Sequence, residues 1–466
     1  MVSPTLPASP FSRTAKFQQP QVSVQLVDPA EANLIRRFGF RCALFLVFLR
    51  FGYVHELLWY ELGNTDTYIL FITNTLAIGA ALASGSLRRT FVANPARWWL
   101  AFLTWLLLAT VFSTWKSEST SLWLSYLRND FSFLIIIAGL VMTMKECLQV
   151  AYAAALGGLM NVIVGRLLFH SVENGRLAID FGSIANSNDF AAHLLLVLPF
   201  VLFAVLTKAK PVKAVGILVL MAGAYLGATT ASRGALISAL AVIAFIIYRV
   251  RGVARAAILV ALPVVALIFM ALLPDAIRSR YATLYDDEAA QADIGATQSL
   301  ESRRYLLQTS LQLTLHNPLF GVGPGEFANT EGRDARAQGL HGQWQVSHNS
   351  YTQVSSEAGV PAFILFLGAI FSTFRLINSV EKRCRNVPQL RAHGILAFCM
   401  MLSMIGFCGA ILFLSLAYTY HLLFLTGFAI ALNRAVQKEL SRINPPHQPA
   451  RPLFPALPQF PAYQRV

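Results

Sequence analysis

The sequence predicts an all-α integral membrane protein of about twelve transmembrane helices with a helical loop on its outer face. Three observations predict it. The 466 residues are 56% hydrophobic and only 13% charged, with a mean hydropathy of +0.55; soluble domains carry roughly 45–50% apolar and about 25% charged residues. The apolar residues fall into runs near the ~20 residues that cross a bilayer at 1.5 Å per residue. The basic residues gather in alternate connections between those runs, the pattern that sets orientation in a membrane.

The expected spans lie near 42–60, 67–84, 98–115, 122–144, 147–170, 189–206, 213–231, 234–248, 255–273, 359–377, 393–413 and 416–432. The weakest are 122–144, which carries Arg128 and Asp130, and 234–248, which is short. Arg36, Arg37 and Arg41 precede the first span, and Arg88, Arg89 and Arg97 follow the second. Lys208, Lys210 and Lys213 follow the sixth, Arg249, Arg251 and Arg255 the eighth, Lys382, Arg383, Arg385 and Arg391 the tenth, and Arg434, Lys438 and Arg442 the twelfth. Both termini are therefore expected in the cytoplasm. The net charge of +14 sits in these short loops as a topology signal, so no nucleic acid partner is expected.

By this reading residues 1–34 are a disordered cytoplasmic N-terminus, 35–273 hold helices 1–9, 274–358 form an outer loop or cap, and 359–432 hold helices 10–12. Residues 443–466 form a Pro-rich disordered tail. Polar residues precede the first apolar run, which is long enough to stay as an anchor, so no cleaved signal is expected. The five cysteines, Cys42, Cys147, Cys384, Cys399 and Cys408, show neither disulfide nor metal spacing.

The densest polar stretch is LHGQWQVSHNSYTQVSSEAGVP, Leu340 to Pro361, where the outer loop re-enters the bilayer. His348 is the candidate base, because an imidazole accepts a proton near neutral pH; the bland reading is a satisfied interfacial histidine. If a helix starts at His348, Tyr351, Thr352 and Ser355 share its face and Glu357 points away. Arg233, in TTASRGAL, sits at the outer end of a span, where a charge is functional or snorkels to the headgroups. Arg303 shares a helical stripe with Leu307 and Leu311, which turns it toward the membrane, whereas Arg304 faces solvent. Arg50, Arg128, Asp130 and Arg166 lie within spans; Arg128 and Arg166 fall toward outer ends suited to an anionic headgroup, and Arg128 and Asp130 equally suit structural ion pairs. Gly321, Gly323 and Gly325 read as a structural turn, since no strand precedes them. The run Asp286, Asp287, Glu288 reads as solvated, because adjacent acids do not converge on one ion.

Taken in order, GSIANSNDFAAHLLLVLPF, SRGAL, SRRYLLQTSLQLTLHNPLFGVGPGEF and HNSYTQVSSEAGVPAF resemble motifs of the O-antigen ligase and polymerase superfamily of bacterial membrane glycosyltransferases, most closely the ligase. The resemblance implies a C-type glycosyltransferase (GT-C) membrane fold in the bacterial inner membrane, with the active site facing the periplasm. It implies an undecaprenyl-diphosphate-linked glycan donor and a lipid A-core or other glycan acceptor, among membrane lipids and without cofactor or metal. By match, His348, Arg233 and Arg303 correspond to the family's functional residues; Arg128, Arg166, Arg176, Asn188, Arg304, Asn349 and Tyr351 are the expected substrate-binding set. Leu307 departs from the aromatic residue of many relatives. The close alternatives are the polymerase and a protein O-oligosaccharyltransferase with the same donor; a transporter is the alternative from another class, disfavoured because no repeated halves are evident.

Overall fold

The computed structural model describes residues 29–168, 171–173, 176–179, 181–282 and 294–443. The acidic run at Asp286, residues 1–28 and residues 444–466 of the tail lie outside the described residues. The described chain is helical but for one two-stranded antiparallel hairpin, β1 (Ser171–Glu173) and β2 (Arg176–Ala178), an exception to the all-α expectation.

Every expected span coincides with helix. Among the described residues six helices are long and apolar enough to cross a membrane, and a seventh crossing follows if the bent pair Leu34–Phe51 and Val54–Glu61 is one span. Of the remaining expected spans, 67–84 and 234–248 fall on the shorter helices Ile69–Ala83 and Arg233–Arg249 and 122–144 is broken, while 98–115 and 416–432 fall on Asn94–Val111 and Tyr420–Ile443, which are long enough but less apolar. The first bends by 66° at Gly52 and Tyr53, the latter with φ 51°. The carbonyls freed there are satisfied by side chains: Asn161 Nδ2 donates to Phe51 O at 2.9 Å, His193 Nε2 lies 2.9 Å from the same oxygen, and the Tyr420 hydroxyl donates to Arg50 O at 3.1 Å. The fourth, expected over 122–144, is Lys116–Ser125, a π turn Tyr126–Phe131 and Ser132–Leu140. Arg50 ion-pairs with Asp130 at 3.5 Å and donates to Asn129 O, so the structure joins Asp130 to Arg50 and not to its neighbour Arg128. A π turn at a polar cluster within an apolar segment is a common functional signature.

Ser187–Thr207 packs against Met144–Ile163, Lys210–Thr229 and Arg391–Ala410, while Ser350–Cys384 packs against Asn94–Val111. The core runs through Phe51, Phe102, Phe133, Phe200, Phe366 and Phe424, all fully buried. Val253–Leu272 buries no residue although it is the most apolar of the six. A helix apolar all round and uncovered by protein suits a lipid surround.

Between the last helix of the first group and Ser350 lie Asp275–Ala282, Ile294–His316 and Phe327–Ala337. The turn at Gly321, Gly323 and Gly325 locks this region to the bundle. Val322 N donates to Ser356 O and Gly323 N to Glu357 O, both at 2.9 Å, and Gly325 N donates to the Glu357 carboxylate at 3.0 Å. A Cβ on Gly321 (φ 65°) would stand 2.3 Å from Glu357 C, and one on Gly359 (φ 82°) 2.0 Å from Leu319 O. Both positions need glycine for backbone and for space. The turn is structural, as its sequence context suggested. Gly359 also interrupts Ser350–Cys384, so the spanning part begins where the Gly-Val-Pro triplet announced it.

Candidate functional site

The site is built where the segment that precedes Ser350 returns to the bundle. Asn349 caps Ser350–Cys384, its Oδ1 accepting from Tyr351 N at 2.9 Å and Thr352 N at 3.2 Å. His348 is therefore not the first residue of the helix. It precedes the cap with φ 52°, so the face-sharing argument that grouped it with Tyr351 and Ser355 does not apply. A non-glycine residue held there costs of order 1–3 kcal/mol and persists only when its surroundings enforce it.

The enforcement is visible on both sides. Ser350 N donates to Ile411 O at 2.9 Å, Ser350 Oγ to Leu414 O at 2.6 Å, and Leu416 N to Ser350 Oγ at 2.8 Å. Ser347 Oγ lies 3.2 Å from Ser415 Oγ. Upstream, the buried Glu331 carboxylate accepts from Gln343 N at 3.0 Å, Trp344 N at 2.8 Å and the Tyr305 hydroxyl at 3.0 Å. Trp344 takes φ 55° and sits flush on Gly332, where a Cβ would be 2.2 Å from its ring.

The connector 411–416 reaches the second element of the site. Gly234 lies against Phe413, whose ring would be 2.6 Å from an added Cβ, and Gly234 follows Arg233 directly. Arg233 begins its helix after Ser232, whose Oγ accepts from Ala235 N, and after Ala231, which turns the chain with φ 50°. The Tyr281 hydroxyl donates to Ala228 O at 2.9 Å, which brings Arg280 to the same turn.

Arg303 completes the group from the helix Ile294–His316. Burial first, then the positive charges of Arg233 and Arg280, hold its guanidinium below the ordinary arginine value. Burial first, then the charge of Arg303, holds the His348 imidazole below the ordinary histidine value. Arg233, Arg280, Arg303 and His348, from four segments, thus share one electrostatic neighbourhood. Such a cluster receives a compact polyanion, beside an imidazole kept neutral and able to accept a proton.

The other expected residues divide. Arg176 donates to Thr230 O at 2.8 Å and to Asn188 Oδ1 at 2.9 Å, which ties both to the turn that carries Arg233. Tyr351 donates to Cys408 O at 3.0 Å and meets the Phe366 ring edge-on, so its hydroxyl is engaged within the bundle, and the Asn349 side chain serves the helix cap. Arg304 is exposed, and so is Arg166 in the π turn Val164–Leu168. Arg128 lines a separate cavity, its guanidinium 5.9 Å from the Phe71 ring. Leu307 and Leu311 are both exposed. Glu357, buried and bound to Gly325 N, serves the glycine turn.

Two residues escaped the sequence reading. Arg280, in AIRSRY, looks like an ordinary charge after a span, and Glu331, in FANTEGRD, like a surface acid; only the partners brought by folding mark either one. Residues 216–367 match the family model described as O-Antigen ligase. No curated protein matches the chain. The matched stretch contains Arg233, Arg280, Arg303 and His348; Arg128, Arg166, Arg176 and Asn188 lie before it.

Proposed function

Starting from the O-antigen ligase character of residues 216–367, we propose that this multi-pass membrane protein transfers a glycan from an undecaprenyl-diphosphate-linked donor to a sugar hydroxyl of lipid A-core. The reading includes a GT-C type fold in the inner membrane, about twelve crossings, both termini in the cytoplasm and the site at the periplasmic face under a cap of residues 274–358. The observation that carries it is the grouping of Arg233 and Arg280 about Arg303, which in turn acts on the His348 imidazole.

In the reaction the acceptor oxygen forms a bond to the anomeric carbon as the bond from that carbon to the diphosphate oxygen breaks. The departing diphosphate gains negative charge, and Arg233, Arg280 and Arg303, fixed in a half-buried site, stabilise it more strongly than water would. His348 takes the hydroxyl proton. One displacement inverts the anomeric carbon. Arg176 and Asn188 brace the Arg233 turn from below.

His348→Ala tests the reading through the lipid-linked glycan that accumulates in cells. Long chains left on the carrier are the expected result. Single repeats would instead indicate the polymerase, and loss of glycan from proteins with normal lipopolysaccharide would indicate a protein O-oligosaccharyltransferase. Unchanged surface glycan at normal protein level would remove His348 from the chemistry.

A further inference from the structure

A second cavity, of about 670 Å³, opens among Arg50, Asp66, Asn74, Asp130, Asp189 and Tyr420. Its size falls within the roughly 300–1,000 Å³ of ligand sites. Its walls come from the first bend, residues 66–74, the π turn, residues 183–193, Phe407 and the connection at 416–421.

Its chemistry is opposite to that of the arginine cluster. Glu56, Asp66, Asp130 and Asp189 face only Arg50 and Arg128, so carboxylates outnumber guanidiniums and a diphosphate is disfavoured here. Three carboxylates already have partners: Asp130 has Arg50, Glu56 accepts from Ser183 N and Oγ at 2.9 and 2.8 Å, and Asp66 accepts from Tyr68 N at 2.7 Å. Asp189, half-buried, makes no hydrogen bond or ion pair among the described residues. Arg50 is 5% exposed, and its Nε finds no partner among the described residues. Tyr68 stands 61% exposed at the wall. Carboxylate acceptors beside open aromatic faces suit a polyol: hydroxyls donate to the acids while an apolar C–H face of the sugar lies on a ring.

We infer that this cavity binds the neutral saccharide of the acceptor, while the arginine cluster holds the donor diphosphate. The assignment of the saccharide as acceptor rests on the transferase reading above. Two short connectors join the sites. Asn188 is bound by Arg176 on the cluster side while Asp189 faces the cavity. Residues 411–415 hold Ser347 and Ser350 on either side of His348, and Leu416 to His421 line the cavity.

The test uses the full-length protein in nanodiscs with two probes: a dephosphorylated, deacylated core oligosaccharide carrying a fluorophore, and undecaprenyl diphosphate. Asp189→Asn and Tyr68→Ala are each expected to weaken the oligosaccharide at least tenfold and leave undecaprenyl diphosphate unchanged; Arg303→Gln is expected to do the reverse. Tyr68 is exposed, so its variant tests the cavity without emptying the core. Oligosaccharide affinity unmoved by both cavity variants, or no oligosaccharide binding by the parent protein, overturns the inference. Cavity-dependent oligosaccharide binding without any undecaprenyl diphosphate binding upholds the saccharide site and removes the transferase reading instead.

Discussion

Replacing Glu331 with alanine is expected to release the strap that presents His348. The Glu331 carboxylate is 1% exposed and accepts from two backbone amides, Gln343 N and Trp344 N, and from the Tyr305 hydroxyl. A hydrogen bond to a charged group contributes about 1.5–3 kcal/mol net, and each buried donor left unpaired costs about 1–3 kcal/mol. Water entering the opened strap recovers part of that, which leaves a local cost of about 3–4 kcal/mol. At 1.4 kcal/mol per factor of ten, this corresponds to roughly 150- to 700-fold faster amide exchange at Gln343 and Trp344. Hydrogen exchange read by mass spectrometry on peptides spanning 340–349 measures this, with glycan transfer assayed on the same preparation. Transfer should fall at least tenfold while undecaprenyl diphosphate still binds, because the arginines stand on other segments. Glu331→Gln, which keeps an acceptor oxygen, should recover part of both. Unchanged exchange in Glu331→Ala would refute the strap; faster exchange with unchanged transfer would show that the strap does not govern His348.

Two further outcomes follow from the same geometry. His348 is held below the ordinary histidine value by burial and by Arg303, and a base works only when unprotonated, so transfer falls as pH drops through its pKa. Arg303→Gln removes one cation, raises that pKa and moves the acidic limb of the pH–rate profile to higher pH; a limb that stays in place or moves down would separate the two residues. Gly359→Ala forces a side chain into a left-handed backbone position 2.0 Å from Leu319 O, where backbone strain of about 1–3 kcal/mol adds to overpacking of about 1–3 kcal/mol. Thermal unfolding in detergent should show a clear fall in midpoint, and a wild-type midpoint would mean that the 318–321 turn yields freely.

The helices were legible because apolar runs and alternate basic loops answer to the bilayer, a solvent that acts on composition and length. The Gly-Val-Pro start of a span, the glycine turn, and Arg233, Arg303 and His348 as candidates were legible for the same local reasons. What lay beyond the sequence depends on partners distant along the chain. The first span breaks at Gly52 because Asn161, His193 and Tyr420 satisfy the carbonyls around it. Asp130 belongs with Arg50 and not with the Arg128 two residues away. His348 falls before its helix because Ser350 is tied to residues 411–416, and Arg280 joins Arg303 only because Tyr281 is anchored on Ala228. Periodicity and composition report how each segment meets lipid and water. Which charges share a site is decided by tertiary packing, since electrostatic and hydrogen-bond energies depend on distances through space that the order of residues does not contain.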